Sequence, residues 1–133
     1  MGLMAHAGAV HRWDIFWADL EPGVGSEQRG ESRPVIVISN DGFNAHFPLV
    51  TVISVTKLEG KKRKVYEFEV LLPKGVVTPQ HASIAMPQQV RTLSKMRLLD
   101  RIGTLDSNEL RTQIESRLLE HFGIFFEEDS PEI

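Results

Sequence analysis

The chain contains no cysteine in its 133 residues. Disulfide staples and thiolate catalysis are therefore excluded, and the absence fits a reducing compartment. It also lacks any apolar run near the roughly 18 residues that a membrane-spanning helix needs. The first eleven residues are rich in alanine and glycine, but they carry neither a basic start nor an adequate apolar stretch. No secretory signal is expected, and a cytoplasmic address is. Internal repeats, low-complexity tracts and linkers are missing too, so the 133 residues read as a single domain with a proper core.

Several chemical signatures are absent as well. The five histidines are His6, His11, His46, His81 and His121. None is paired at i, i+4 or bracketed by carboxylates at ligand spacing, so no metal site is expected. His46 reads as a loop histidine, on the surface or as a general base, and His121 as structural. There is no P-loop and no Gly-x-Ser-x-Gly elbow. Gly23-Val24-Gly25 lacks the third glycine of a dinucleotide fingerprint and opens no helix. Any catalysis would then proceed without metal or cofactor.

The net charge of −3 argues against a general nucleic-acid binder. Its distribution matters more than its sum. Glu127, Glu128, Asp129 and Glu132 sit together near the end, in a stretch that reads as a disordered acidic tail. The rest is close to neutral, with a basic cluster of Lys57, Lys61, Lys62, Arg63 and Lys64. That cluster suits either a solvated turn or a surface for a polyanion.

What is present reads mostly as strands. Residues 13–20 are rich in aromatics and end at the turn signal Glu21-Pro22-Gly23. Residues 34–39 form a short continuous apolar run, as expected of a strand buried on both faces. A helical turn is expected over 43–47, then a β-branched strand over 49–55. Residues 65–71 alternate apolar and acidic side chains, a strand with one wet face. Further short strands are expected over 82–86, 89–93 and 99–105. One helix follows, with Asp106 as N-cap and Glu109 three residues later. Its apolar stripe is Leu110, Ile114, Leu118 and Phe122, with Leu119 beside them, and Gly123 ends it. The fold class is mainly β, a strongly curved sheet or partly open barrel with a C-terminal helix.

The loop Gly25-Ser26-Glu27-Gln28-Arg29-Gly30-Glu31-Ser32-Arg33-Pro34 feeds directly into Val35-Ile36-Val37-Ile38. Charged groups of both signs stand at the mouth of a rigid strand, a setting suited to chemistry on an anion such as phosphate. Trp13-Asp14-Ile15-Phe16-Trp17-Ala18-Asp19-Leu20, then Glu21-Pro22, Gly25-Ser26-Glu27-Gln28 and Arg33-Pro34-Val35-Ile36-Val37-Ile38-Ser39-Asn40, resemble the N-terminal signature of the PemK/MazF family. Val50 to Thr56 resembles that family's third core strand with its terminal threonine. Gln88-Gln89-Val90-Arg91-Thr92-Leu93, followed by Ile102-Gly103-Thr104-Leu105, resembles its late segment. The resemblance covers about residues 12–123, leaving an N-terminal extension of 1–11 and the acidic tail of 124–133 outside.

The resemblance implies an SH3-like barrel of the CcdB/PemK kind, acting as a homodimer. It implies a toxin of a toxin–antitoxin pair that cleaves single-stranded RNA at chosen sequences, mainly mRNA, without metal. The substrate's 2′-OH is then the nucleophile, and the ends left are a 2′,3′-cyclic phosphate and a 5′-OH. A cognate antitoxin of the MazE type would cover the RNA groove with an acidic, apolar-dotted segment.

Carried onto this sequence, the family's catalytic arginine falls on Arg33, its catalytic threonine on Thr56, and a glutamate used by some members on Glu27. A planar, permanently charged guanidinium suits a phosphate gaining negative charge. Arginine ordinarily holds its proton far above neutral pH and donates it poorly, so Arg33 reads first as an electrostatic stabiliser and second as a proton donor to the leaving 5′-oxygen. Thr56 offers a hydroxyl to the phosphate or the 2′-OH, or simply ends a strand. Glu27 accepts the 2′-OH proton, orients Arg33, or pairs with Arg29 or Arg33 at the surface. Ser26, Gln28, Arg29, Lys57, Lys61, Lys62 and Gln88 are the expected RNA contacts. The strand aromatics, Trp13, Phe16, Trp17 and Phe68, serve either as core and dimer interface or as base-stacking platforms. The rival reading is a non-catalytic CcdB-like toxin that grips a target such as DNA gyrase. The joint presence of Arg33 and Thr56 in their motifs favours the ribonuclease.

Overall fold

A computed structural model describes residues 8–58 and 63–126. Among the described residues there are six strands: β1 (Asp14–Ala18), β2 (Arg33–Val37), β3 (Leu49–Lys57), β4 (Val70–Leu72), β5 (Ser83–Ser94) and β6 (Leu98–Thr104). A short helix α1 (Asp41–His46) joins β2 to β3, and α2 (Asn108–His121) closes the domain. The strands pair antiparallel in one sheet, in the order β4-β5-β3-β2-β1-β6. No helix among the described residues is long and apolar enough to cross a membrane.

The continuous apolar run of β2 has the expected cause. Ile36 packs with Trp13, Ile15, Ile53, Val55 and Ala85 on the face that α2 covers through Ile114. Val35 and Val37 pack with Phe16, Leu20, Val50, Val52, Leu93 and Leu98 on the opposite side. A central strand with apolar neighbours on both faces leaves no room for alternation. Each fully buried aliphatic side chain contributes about 1.5–3 kcal/mol relative to exposure, so these two clusters carry most of the fold.

β5 is one strand where two were expected, and it is irregular in the middle. Val52 faces Arg91, yet Ser54 faces Met86, so β5 spends five residues where β3 spends two. The surplus falls at residues 87–90, beginning at Pro87, whose nitrogen has no hydrogen to give to a ladder. Ala85 and Leu93 are eight residues apart and would share a face in an unbroken strand. They lie instead in the two different clusters.

Three other expectations are corrected. The strand predicted for 65–71 is confined to Val70–Leu72. Before it the chain turns, with the Glu69 amide donating to the Tyr66 carbonyl at 2.9 Å, because the Glu69 carboxylate goes inward while Tyr66 and Phe68 stack outside, ring centroids 5.3 Å apart. The N-cap of α2 is Ser107, whose hydroxyl accepts from the Leu110 amide at 3.2 Å, so the helix starts one residue later than Asp106 would have it. Phe122 is exposed and does not extend the apolar stripe. Gly123 does end the helix. Its φ of +69° lets its own amide reach the Glu120 carbonyl (3.0 Å) and the Ile124 amide reach Leu119 (2.8 Å).

Candidate active-site cleft

Residues 19–32 leave β1 and return as β2, and hydrogen bonds hold this long loop in shape. The Leu20 amide donates to the Gly30 carbonyl at 2.8 Å, closing its base. Near its tip the Glu27 amide donates to the Val24 carbonyl (3.1 Å), and the Val24 amide returns a bond to Glu27 Oε1 (3.2 Å). The Glu27 carboxylate thus caps its own turn, and it forms no ion pair with Arg29 or Arg33. Arg29 folds over Gly23, its Nη1 reaching that carbonyl at 3.4 Å.

β5 pins the loop from the side. The Gln28 amide donates to Gln89 Oε1 at 3.1 Å, and Gln89 Nε2 donates to the Ser26 carbonyl at 3.1 Å. Gln89 can do this because it stands in the irregular stretch of β5. Sequence reasoning passed over it; its place beside Gln88 in a matched motif was the only available signal.

Arg33 opens β2, largely exposed, with its Nε donating to the Arg29 carbonyl at 3.0 Å. Val35 faces Ser54 across the β2–β3 pair. The β2–β3 pairing ends there, with Arg33 at the start of β2 and Thr56 near the end of β3. Thr56 is buried, with 6% of its surface exposed. At this end of the sheet lies a cleft of about 340 Å³. Arg33, Lys57 and His81 line it, with Trp17, Pro34 and Val55 forming part of its wall. Thr56 is not in that wall. Trp13 and Phe16 are core residues, whereas Trp17 faces this cleft.

The remaining expected residues fall elsewhere. Glu27, Gln28 and Gln88 line a second groove of about 290 Å³ together with Gln89, Val90 and Arg91. Gln88 is also committed inward: its Nε2 donates to Glu69 Oε2 at 2.7 Å. Glu69 has a fully buried side chain and is gripped by Arg63 through two bonds of 2.9 and 2.8 Å. The Tyr66 amide adds a third donor at 3.1 Å. Burial by itself would raise the Glu69 carboxyl, but these hydrogen bonds outweigh it and hold the group below the ordinary glutamate range. Arg63, hydrogen-bonded to the carboxylate, is held more firmly protonated in return. The basic cluster therefore divides: Lys57 faces the cleft, Arg63 belongs to a buried ion pair, and Lys61 and Lys62 lie outside the described residues, as does most of the acidic tail.

Comparison with known proteins agrees with this architecture. The profile of the PemK-like, MazF-like toxin of type II toxin-antitoxin systems matches residues 11–122. Endoribonuclease EndoA of Bacillus subtilis is 36% identical over 109 residues, spanning 82% of this chain and 90% of its own. Among solved structures, MazF of Deinococcus radiodurans superposes with a TM-score of 0.72 at 22% identity, covering 89% of this chain and all of that one. A mycobacterial endoribonuclease solved with its cognate antitoxin gives 0.69 at 19% identity, covering 90% of this chain and all of that one. The sequence match over nearly the whole domain, joined to the shared sheet-and-helix fold, places this chain in the family of PemK-like, MazF-like toxins of type II toxin–antitoxin systems.

Proposed function

We propose that the protein is a sequence-specific endoribonuclease that cuts single-stranded RNA, mRNA above all, with the substrate's own 2′-OH as nucleophile. A 2′-O–P bond forms and the P–O5′ bond breaks, leaving a 2′,3′-cyclic phosphate and a 5′-OH. The observation that carries this reading is the cleft at the sheet's end, where Arg33 and Lys57 stand beside the Trp17 ring. Two cations suit a phosphodiester whose charge grows in the transition state, and an aromatic face suits a neighbouring base. Arg33 is the electrostatic stabiliser. Removing one such donor typically costs about 10²–10³ in rate. Thr56, near the end of β3, is assigned to the phosphate or 2′-OH. Glu27 shapes the loop, and Gln28 and Gln88 line the groove where the RNA continues.

The chain works in the cytoplasm as a homodimer, and Tyr66, Phe68 and Leu71 are apolar surface that a second copy would cover. A cognate antitoxin of the MazE type, acidic where it lies over Arg33 and Lys57, would compete with RNA for the same cations. That expectation gains weight from the relative solved with its antitoxin. None of the matches described above is to a gyrase-gripping toxin, so the ribonuclease reading stands alone.

The test is direct. Purified protein is incubated with a long single-stranded RNA in EDTA, and fragment ends are sequenced and probed for 5′-OH. Discrete cuts with 5′-OH ends are expected; RNA left intact would overturn the assignment.

A further inference from the structure

We infer that His81 is the general acid of the Arg33 cleft, delivering its proton to the departing 5′-oxygen. The inference rests on the ribonuclease reading and supplies what that reading leaves open. Breaking the P–O5′ bond leaves an alkoxide, which needs a proton as it departs. Arginine ordinarily holds its proton too firmly to give it, and lysine too keeps its own at neutral pH. Arg33 and Lys57 are thus suited to charge stabilisation. The Glu27 carboxylate is turned into its own loop and lines the other groove. The rest of the cleft wall is apolar, aromatic, amide or hydroxyl. His81 is the one described side chain lining this cleft of a type that exchanges protons between about pH 5 and 8.

Its backbone is well placed to hold it there. His81 pairs with Thr78 in a single antiparallel bridge, and the Thr78 carbonyl accepts from Gly75 at 3.0 Å. The next residue, Ala82, accepts from the Leu58 amide at 3.0 Å, which ties the segment to the end of β3 beside Lys57. Ser83 then enters β5 directly opposite Lys57. The proton balance is simple. The 2′-OH releases its proton to solvent water as the 2′-O–P bond forms. The imidazolium of His81 protonates O5′ as P–O5′ breaks, and the neutral imidazole regains a proton from solvent.

The experiment uses two RNA oligonucleotides spanning a mapped cut site, one natural and one with sulfur replacing the bridging 5′-oxygen. A thiolate leaves without needing a proton. His81→Asn and His81→Gln should cut natural RNA about 10²–10⁴-fold more slowly than the wild type, yet cut the sulfur-bridged substrate at nearly the wild-type rate. Equal losses on both substrates, or no loss on either, would overturn the assignment of His81 while leaving the ribonuclease reading intact. A wild-type protein that cuts neither substrate would sink the ribonuclease reading itself.

Discussion

The side chain of Arg33 lies across Gly30 so closely that a β-carbon on that glycine would sit 2.6 Å from Arg33 Nε. Gly30 has a φ of +142°, a region that side-chain-bearing residues rarely enter, and its carbonyl is bonded to Leu20. On its other side the same Nε donates to Arg29. The direction of the guanidinium is therefore set by backbone, from beneath and from the side.

Gly30→Ala is expected to separate folding from catalysis. Backbone strain of about 1–3 kcal/mol should lower the melting temperature modestly. The displaced arginine should lower kcat far more, by about 10²-fold for a misplacement near 1 Å. Gly25→Ala is the control, since Gly25 also has a positive φ (+59°) but a β-carbon there meets nothing within 4 Å. It should cost stability without comparable loss of rate. Thermal melts and steady-state cleavage measure both; wild-type kcat in Gly30→Ala would refute the seating argument.

Arg33→Ala should slow RNA cutting by about 10²–10³-fold while leaving the melting temperature and the oligomeric state unchanged, because the side chain is exposed and outside both apolar clusters. Arg33→Lys keeps the charge but loses the planar fork, so it should recover only a small part of the rate. Single-turnover assays at saturating enzyme would show this, and an alanine variant cutting at the wild-type rate would remove Arg33 from the mechanism.

The Glu69–Arg63 pair predicts a pH dependence of stability. The carboxyl is held below the ordinary value of 4.5 in the folded state. Its contribution is thus fully present above that value and drains away as pH falls through the lower, folded value. Denaturant titrations from pH 6 down to pH 3, as round bounds about the carboxylate range, should show the loss, and Glu69→Gln should flatten it. Arg63→Ala should be the more damaging change at neutral pH, about 3 kcal/mol, because it strands a buried carboxylate. A pH profile identical in Glu69→Gln and wild type would contradict this.

Gln89→Ala removes both bonds that hold residues 26 and 28 to the sheet. Hydrogen exchange at the Gln28 amide should quicken, and KM for RNA should rise more than kcat falls. Unchanged exchange at that amide would mean that the loop is held by other means.

The legible part of this protein was its apolar patterning. β2 announced itself because a strand walled on both faces has no polar positions, and α2 because its periodicity is long. The strand predicted over 65–71 misled for a physical reason. Tyr66, Glu67, Phe68 and Glu69 mimic a half-wet strand, but a carboxylate that finds an arginine and an amide can be buried, and the chain turns to bury it. Asp106 and Ser107 are both good caps, and sequence alone does not rank them. At the cleft, Arg33 stood out through its motif and Lys57 through the basic cluster, whereas Thr56 lies outside the wall. The roles of Gly30 and Gln89 did not stand out, because one depends on a side chain folding back and the other on contacts made 61 and 63 residues away.

The surplus residues in β5 give that strand a counted length. Exchanging a side chain between 87 and 90 leaves the facing of the rest of the strand intact, but removing one residue would rotate everything beyond it by half a turn of the pleat. Leu93 would then point away from Leu98 and Val50, while Thr92 would be driven among them. Insertions and deletions there should therefore be far more harmful than substitutions, even though the segment looks like the least regular part of the sheet.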